Sequence, residues 1–170
     1  APVAGDALLF LPAGGEPDGE MTELYLQALE SGALDRCLTD AEATYVSVPA
    51  YDGLMGILPR RAPFVAKLGM GELRLDFPNM GEAKGGSRFY YIEEGFMKFA
   101  DNELTILASE ALPAENLIEA DCAAELRAAE TRGVPSDASD KLAEMDRITK
   151  ARNAARSKLA LASSFKHKGI

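Results

Sequence analysis

Residues 46–65 constrain the fold more than any other stretch, because prolines and glycines divide them into short apolar runs. Val46 and Val48 alternate with other residues, which predicts a strand with one apolar face. Asp52-Gly53 predicts a turn, since glycine accepts the positive φ that tight turns require. Residues 55–58 are then expected to form a short buried run. The stretch therefore indicates a folded-back surface of a β domain.

Two prolines near the end of this stretch limit the conformation of the residues around them. Pro59 and Pro63 fix φ and lack the backbone N–H that a sheet ladder needs. The residues between them are therefore predicted to form a stiff loop that carries Arg60 and Arg61 outward. A solvated turn with no partner is the ordinary alternative for these two arginines.

Period-two alternation extends the β interpretation across residues 21–112 and predicts a β sandwich there. Gly85-Gly86 and Ala100-Asp101-Asn102 are spaced as turns between successive strands. Residues 1–20 contain several prolines and glycines and are predicted to form an extended arm. Strands are predicted from residue 21 to a turn at Ser31-Gly32, and at residues 43–48, 73–77, 88–92, 96–99 and 104–107.

After Pro113 the sequence takes on the composition and period of helices. Pro113 suits a first helical turn, and Ala, Glu, Leu and Arg dominate the following residues through Arg132. Gly133 and Pro135 then interrupt the pattern. We therefore predict one helix up to Arg132 and a second one beyond Pro135.

The second helix is predicted to begin at a cap and to pair with the first. Ser136, Asp137 or Asp140 offers the cap, and the helix runs to about Ser163. One narrow apolar stripe is formed by Leu142, Met145, Ile148, Arg152, Ala155, Leu159 and Ala162. The expected fold is thus a segregated α+β chain, with a β sandwich followed by an antiparallel two-helix hairpin over residues 113–170.

The chain is acidic overall, with a net charge of −9, but the charge is unevenly distributed. Residues 141–170 hold eight bases against two acids, so the rest of the chain is strongly acidic. Nucleic acid is an unfavourable partner, because binding a polyphosphate needs a basic face. No run approaches the roughly 20 apolar residues of a membrane-spanning helix, so membrane association is expected to go through a partner.

No catalytic constellation is predicted from the sequence. His167 is the single histidine and lies in a Lys-His-Lys tail, which excludes a histidine-based triad or a multi-histidine metal site. Glu93 and Glu94 would point to opposite faces of a strand, which is poor geometry for acid–base chemistry. Cys37 and Cys122 are predicted to be free thiols in a reducing compartment, with a disulfide between them as the alternative. We therefore expect no catalytic residue, no metal and no cofactor.

Three segments together resemble one known family. Residues 48–63 contain Gly56-Ile57-Leu58-Pro59 followed by Ala62-Pro63. Residues 88–99 resemble the family's aromatic strand, glycine turn and following strand, and residues 101–111 resemble its last strand before the helices. The match runs in order from residue 22 to about residue 162. The chain thus resembles the epsilon subunit of bacterial and chloroplast F-type ATP synthases, whose mitochondrial equivalent is called delta.

The resemblance implies a mechanical role without catalysis. In this family the β domain belongs to the central stalk, or rotor, where it binds the gamma subunit and rests on the ring of membrane c subunits. It couples proton-driven rotation of the ring to ATP synthesis. The resemblance assigns Leu54, Arg60 and Arg61 to contact with the c ring, and Tyr90 and Phe96 to a surface that faces gamma. Ordinary core is the alternative for the aromatic residues, and it is expected for at least two of Phe89, Tyr91, Phe96 and Phe99.

The first helix departs from the bacterial pattern of the family. Many bacterial relatives carry an Asp and an Arg that help to hold ATP, whereas this chain has Ile118 and Asp121 at those positions. An anion thus replaces the cation needed near phosphate, and no nucleotide binding is predicted. The departure favours the mitochondrial delta type, peripheral on the matrix side of the mitochondrial inner membrane, with a small mitochondrial epsilon subunit on the hairpin. A bacterial epsilon on the cytoplasmic face of the plasma membrane is the alternative.

The basic second helix leaves a regulatory alternative open. In bacterial relatives this segment can extend toward the catalytic head and inhibit ATP hydrolysis, and the residues that could meet acidic loops there are Arg147, Arg152, Arg156 and Lys158. A solvated helix face is the ordinary interpretation of these four residues. A free-standing β-sandwich module that binds a small ligand is the alternative from another functional class.

Overall fold

The structure is a computed structural model that describes residues 5–12, 34–79, 85–135 and 140–167, with side chains described from residue 42 to residue 166 within those ranges. The chain forms two compact units that divide after Leu112. The strand predicted between residue 21 and Ser31 lies outside the described residues.

Seven strands in the described part of the first unit form one hydrogen-bonded sheet. They are β1 (Gly5–Pro12), β2 (Leu34–Ala43), β3 (Tyr45–Ala50), β4 (Gly53–Ile57), β5 (Phe64–Phe77), β6 (Gly86–Ala100) and β7 (Glu103–Pro113). Their order across the sheet is β2-β1-β7-β6-β5-β3-β4. Strand β1 lies within the segment predicted to be an extended arm, and it pairs parallel to β2 and antiparallel to β7.

The sheet folds back on itself around one apolar core. Strand β2 contacts β5, although three strands separate the two in the sheet order. The side chains that alternate inward from β3, such as Val46 and Val48, are buried together with Ile57 of β4 and Leu73 of β5. Period-two alternation therefore places the core as predicted, and the β-sandwich class is confirmed.

The segment predicted as two strands, 88–92 and 96–99, with a glycine turn between them is a single long strand, so the predicted division was wrong. Pairing between β5 and β6 continues through it, with Met70 opposite Glu93 and Leu68 opposite Gly95. Glu94 and Gly95 both have positive φ, 41° and 133°. These two residues distort the strand without reversing its direction.

The distortion in β6 changes which residues face the core. Tyr90 and Ile92 point inward before Gly95, whereas Met97 and Phe99 point inward after it. A Cβ atom on Gly95 would lie only 2.0 Å from the Leu107 carbonyl oxygen on β7. Glycine is therefore required at position 95 both by its backbone conformation and by this close approach.

The turns and loops at one end of the sheet are only partly as predicted. Asp101 and Asn102 join β6 to β7 with φ of 51° and 67°, the left-handed pair of a type I′ turn. Residues 58–63 pair with no strand, which confirms the predicted loop. The buried run predicted at residues 55–58 was wrong, because Gly56 and Leu58 are exposed and only Ile57 is buried. In the described part of the sheet β4 is the outermost strand on its side, and its Leu54 side chain is exposed.

The second unit begins with a 3-10 turn at Ala114–Asn116, followed by helices α1 (Glu119–Thr131) and α2 (Lys141–His167). Helix α1 starts six residues later than the Pro113 position that was predicted, because Leu117 and Ile118 have extended backbone. Asp140 caps α2, since its Oδ1 accepts a hydrogen bond of 3.0 Å from the Ala143 amide. Neither of these helices is long and apolar enough to cross a membrane.

The two helices contact each other as a hairpin through small residues. The predicted stripe is buried at Ile148, Ala155 and Ala162, but Leu142 and Met145 at its beginning are exposed. Arg152 lies beside the last residues of α1, so the first turns of α2 extend beyond the end of its partner helix. That overhang explains why the stripe starts later than its periodicity predicts.

Candidate partner-binding site

Residues 58–63, which we call the arginine loop, carry two exposed cationic side chains, Arg60 and Arg61. The Arg61 Nη1 donates a hydrogen bond of 2.8 Å to the Gly56 carbonyl oxygen. Its guanidinium carbon lies 5.1 Å from the ring centroid of Phe64. Phe64 in turn stacks on Phe99, with 5.8 Å between ring centroids. Arg61 is thus anchored to the end of the sheet while it stays open to a partner.

The backbone of Arg60 is held by a different contact. Its φ is 63°, a left-handed conformation that is uncommon for a side chain of this size. The Arg60 amide donates a hydrogen bond of 2.6 Å to Oδ1 of Asn102 in the β6–β7 turn. Sequence reasoning predicted a turn at Asn102 but not this contact, because no local pattern relates two loops 42 residues apart.

Exposed apolar side chains surround the arginine loop in the sequence. Leu54 on the edge strand β4 is 75% exposed, and Tyr51, Leu58 and Val65 are also exposed. Isolated exposed apolar residues are ordinary, but four of them lie within these fifteen residues. The structure therefore leaves all three predicted ring-contact residues accessible.

The two residues predicted to face gamma lie on opposite sides of the sheet. Phe96 is 60% exposed and lies opposite Lys67, whose Nζ is 4.9 Å from the centroid of the Tyr51 ring. Tyr90 is 6% exposed and belongs to the core. Phe96 therefore offers surface to a partner and Tyr90 does not. Among the aromatic residues considered as core, Tyr91 and Phe99 are buried.

An open cavity of about 500 Å³ lies beside Leu54 on the outer side of β3, β4 and β5. Its lining includes Tyr45, Ser47, Pro49, Met70 and Arg74. Because these residues come from separate strands, sequence reasoning did not group them. The cavity extends the accessible surface next to Leu54, with both apolar and polar side chains in its lining.

Arg74, in the lining of this cavity, forms an ion pair with Asp76. Arg74 Nε lies 2.8 Å from Asp76 Oδ1. Burial acts to raise the pKa of Asp76, but hydrogen bonds from Arg74 and Ser87 outweigh it and hold the pKa below its ordinary value. Arg74 is therefore already paired, so it is less available to a ligand than its position suggests.

Three of the four basic residues predicted as a regulatory face contact helix α1 instead of projecting together. Arg152 donates hydrogen bonds to the carbonyl oxygens of Ala129, Glu130 and Arg132, at 3.0, 3.2 and 2.9 Å. It thus supplies donors to the C-terminal end of α1, where carbonyl groups lack partners in the helix.

The other basic residues divide between the hairpin and solvent. Lys158 Nζ lies 3.6 Å from Glu125 and its residue is 9% exposed, while Arg156 lies 3.4 Å from Glu130. The Arg147 side chain is 79% exposed and forms an ion pair with Glu144 on its own helix. The four residues therefore do not form one open basic face while the hairpin is closed.

The described residues contain no cluster of three or more His, Cys, Asp or Glu side chains that could hold a metal ion. Cys122 is a free, buried cysteine, and burial raises the pKa of its thiol. Ile118 and Asp121, at the positions where the nucleotide motif was considered, are both exposed. The described hairpin thus offers an anion and an apolar side chain at these positions.

The fold and the site together define an α+β protein in which a β sandwich with a helical hairpin presents an exposed loop of arginines and apolar residues. The model of the family described as ATP synthase, Delta/Epsilon chain, beta-sandwich domain, matches residues 32–114. The ATP synthase epsilon chain of Pelotomaculum thermopropionicum is 30% identical over 106 residues, which cover 62% of this chain and 75% of that protein. The chain belongs to the ATP synthase epsilon chain family.

Other relatives agree but match a shorter part of the chain. The ATP synthase epsilon chain of Nitratidesulfovibrio vulgaris strain Miyazaki F is 34% identical over 89 residues, which cover 52% of this chain and 62% of that protein. The chain spans about three fifths of the length of the first curated relatives that it matches. The family-model match ends at residue 114, before the two α helices.

A solved structure has the same fold. A chain in the cryo-EM structure of the Euglena gracilis mitochondrial ATP synthase, with OSCP, F1 and c-ring in rotational state 1, superposes with a TM-score of 0.54. The two chains are 20% identical, and the match covers 69% of this chain and 70% of that one.

Proposed function

We propose that this protein is a central-stalk subunit of an F-type ATP synthase that links the gamma subunit to the c ring and couples proton-driven rotation to ATP synthesis. The observation that carries the proposal is the arginine loop, which is exposed and anchored within the residues that the family model matches. The β domain, residues 21–112, is the stalk-binding part, and residues 113–170 form the hairpin. The protein makes and breaks no bond itself, and it needs no cofactor.

The ring-facing surface is proposed to comprise Leu54, Arg60 and Arg61. Polar loops that carry carboxylates suit the two guanidinium groups, and each exposed pair contributes about 0.2–1 kcal/mol. Since Phe96 is exposed and Tyr90 is buried, Phe96 alone remains the proposed gamma contact. A small mitochondrial epsilon subunit on the hairpin is a further proposed partner if the complex is mitochondrial.

Charge reversal in the arginine loop tests the ring contact. Arg60→Glu with Arg61→Glu is expected to weaken binding of the c ring roughly tenfold or more, because attraction becomes repulsion. The reversal should also reduce the coupling of ATP hydrolysis to proton pumping in the reassembled complex. Arg127→Glu with Arg132→Glu on the exposed surface of the hairpin is the matched control, since it changes the net charge equally. Unchanged coupling in the loop variant would place the ring contact elsewhere.

Location follows from the proposed complex: the protein is peripheral, bound through its partners at an energy-transducing membrane. The change at Ile118 and Asp121 supports the matrix side of the mitochondrial inner membrane. Identities of 30–39% to bacterial epsilon chains support the alternative, the cytoplasmic face of a bacterial plasma membrane. Fractionation of the source cells with an antibody against the chain distinguishes the two locations.

A bacterial-type inhibitory role is a second candidate function, favoured by the basic residues of α2. Arg152, Arg156 and Lys158 contact α1, so this role requires the two helices to separate. Deleting residues 135–170 is expected to raise ATP hydrolysis by the reassembled head if the role is real. Hydrolysis at the unmodified rate would eliminate it.

A free-standing ligand-binding module is the alternative outside this family role, and the cavity beside Leu54 is where its ligand would bind. Purification under mild conditions separates the two functions. Recovery of the chain with gamma and the c ring supports the stalk proposal. Recovery as a monomer that carries a small molecule supports the module.

A further inference from the structure

The β6–β7 turn lies against the arginine loop, and the contact between them holds Arg60 in an uncommon backbone conformation. Arg60 adopts a left-handed backbone with φ of 63°, which a non-glycine residue keeps only where its surroundings hold it. The hydrogen bond from the Arg60 amide to Asn102 Oδ1, at 2.6 Å, is such a restraint. The loop therefore takes part of its shape from a turn far along the chain.

Asn102 is itself a fixed point. It occupies the second central position of a two-residue turn between β6 and β7, and its own φ is 67°. The next residues, Glu103 and Leu104, are buried at the start of β7. Because a type I′ turn is short and both strands belong to the core, the turn has little freedom to move. An Oδ1 atom presented from this turn is a rigid acceptor for the loop.

The second arginine is tied to the same end of the sheet by an independent route. Arg61 lies over Phe64, and Phe64 stacks on Phe99, which comes two residues before Asp101 of the turn. Both arginines are therefore held at the end of the β6–β7 hairpin, Arg60 through its backbone and Arg61 through its side chain. The Arg60 backbone and the Arg61 side chain are therefore both held before any partner binds.

We propose that Asn102 is a positioning residue that preorganises the arginine loop for its partner. The inference rests on the proposed contact between this loop and the c ring. A loop that is already ordered loses less conformational entropy on binding, so its affinity is higher without any new contact. Asn102 is thus expected to affect binding without itself touching the ring.

Asn102→Gly tests this role without disturbing the turn. Asp-Gly is a favoured pair in type I′ turns, so the turn is retained while the Oδ1 acceptor is lost. Asn102→Asp keeps an acceptor for the Arg60 amide and tolerates the left-handed backbone. Asp101→Gly is the matched control, because it removes a side chain from the same turn but leaves the Arg60–Asn102 hydrogen bond.

The direct readout is amide hydrogen exchange of Arg60, measured by NMR on the full chain. Asn102→Gly is expected to speed exchange at least about fivefold, the factor that one ordinary hydrogen bond supplies. Asn102→Asp and Asp101→Gly should leave the exchange rate close to that of the unmodified chain. Tyrosine fluorescence should report the same unfolding midpoint for all three variants. An unchanged Arg60 exchange rate in Asn102→Gly would overturn the proposal.

Binding to the detergent-solubilised c ring is the second readout. Asn102→Gly is expected to weaken binding about threefold to tenfold, a smaller loss than that of the double arginine reversal, and Asn102→Asp should restore it. If the arginine reversal weakens binding but Asn102→Gly does not, the positioning role is wrong although the ring contact stands. If the arginine reversal has no effect, the proposed ring contact fails, and the positioning role that rests on it fails with it. Faster Arg60 exchange in Asn102→Gly would then establish only that Asn102 orders the loop.

Discussion

The sheet and the helical hairpin are stabilised by different interactions. Among the side chains that the structure describes, the largest fully buried ones lie in the first unit: Tyr91, Phe99, Leu68, Leu73, Leu75, Ile92, Met97, Leu104, Ile106 and Val48. Burial of each such side chain contributes about 1.5–3 kcal/mol. The sheet is therefore stabilised mainly by the hydrophobic effect, and its strands depend on one another through a shared core.

The hairpin has a thin core and compensates with polar contacts. Most of its buried side chains are small, chiefly alanines such as Ala129 and Ala155. Ion pairs cross between the helices at Glu125–Lys158, Glu130–Arg156 and Glu119–Lys166. Since ion pairs with at least one exposed partner contribute little each, the hairpin is expected to open at a lower free energy than the sheet. Because of this difference in packing, the sheet is expected to be the more stable unit and the hairpin the less stable one.

The two units can be followed separately in one experiment. All five tyrosines lie before residue 113, and the chain has no tryptophan, so tyrosine fluorescence reports on the first unit. Far-UV circular dichroism at about 222 nm is dominated by helices, and the α helices of the described residues lie in the second unit. Unfolding curves from the two probes should differ, because a chain of two units need not unfold in one step.

Gly95→Ala is the substitution expected to destabilise the sheet most. The added Cβ would lie 2.0 Å from the Leu107 carbonyl oxygen, and φ of 133° is strained for any residue with a side chain. We expect a loss of more than about 4 kcal/mol, enough to unfold much of the sheet. Urea unfolding followed by tyrosine fluorescence measures it. Gly86→Ala is the control in the same strand, since its Cβ would have open space; equal effects would refute the close approach.

Leu73→Ala tests whether the sheet depends on its apolar core. Leu73 is fully buried, so the truncation should cost about 3 kcal/mol through lost burial and the cavity it leaves. Val65→Ala in the same strand is the control, and it should change stability by less than about 0.5 kcal/mol because Val65 is exposed. The tyrosine probe should shift and the helical signal should shift less. A similar shift in both probes would indicate that the two units unfold together.

Arg152→Met probes the polar stabilisation of the hairpin. It removes three hydrogen bonds to the end of α1 while it keeps an apolar stem, and we expect a loss of about 1–2 kcal/mol from the hairpin alone. Circular dichroism during urea unfolding measures it. Arg147→Met, which removes an exposed arginine from the same helix, should have little effect. If the two substitutions had equal effects, the stability of the hairpin would depend on its net charge and not on the contact of Arg152 with α1.

The smallest expected effect concerns acid stability of the sheet. The pKa of Asp76 is held below its ordinary value, so its contribution to stability is present above the unfolded pKa of about 4 and is lost as pH falls through the folded pKa. Asp76→Asn should cost less than about 1 kcal/mol at pH 7. It should also flatten the decline in sheet stability below pH 4. An identical decline in both proteins would show that Asp76 does not contribute to it.

Local rules predicted a large part of this fold. Alternation placed Val46 and Val48 in a buried strand, the Pro59 and Pro63 pair predicted the loop, and the Asp101-Asn102 turn was correctly placed. These features follow from backbone sterics and side-chain period, which act over a few residues. The exposure of both loop arginines followed for the same reason.

Other features depend on residues that are distant in sequence. The inward face of β6 changes at Gly95, so no single period could separate buried Tyr90 from exposed Phe96. The sequence pattern of α2 did not indicate that Arg152 would contact the end of α1. Pairing partners are chosen by tertiary packing, and periodicity fixes only which residues share a face.

The sequence by itself therefore determined the β sandwich, the helical hairpin and the loop that displays Arg60 and Arg61. Only the tertiary structure decided what holds that loop, through Asn102 and Phe64, and which basic residues of α2 the hairpin uses internally. The physical reason is range: turns and amphipathic faces are encoded locally, whereas a hydrogen bond between two loops exists only after the whole sheet has formed.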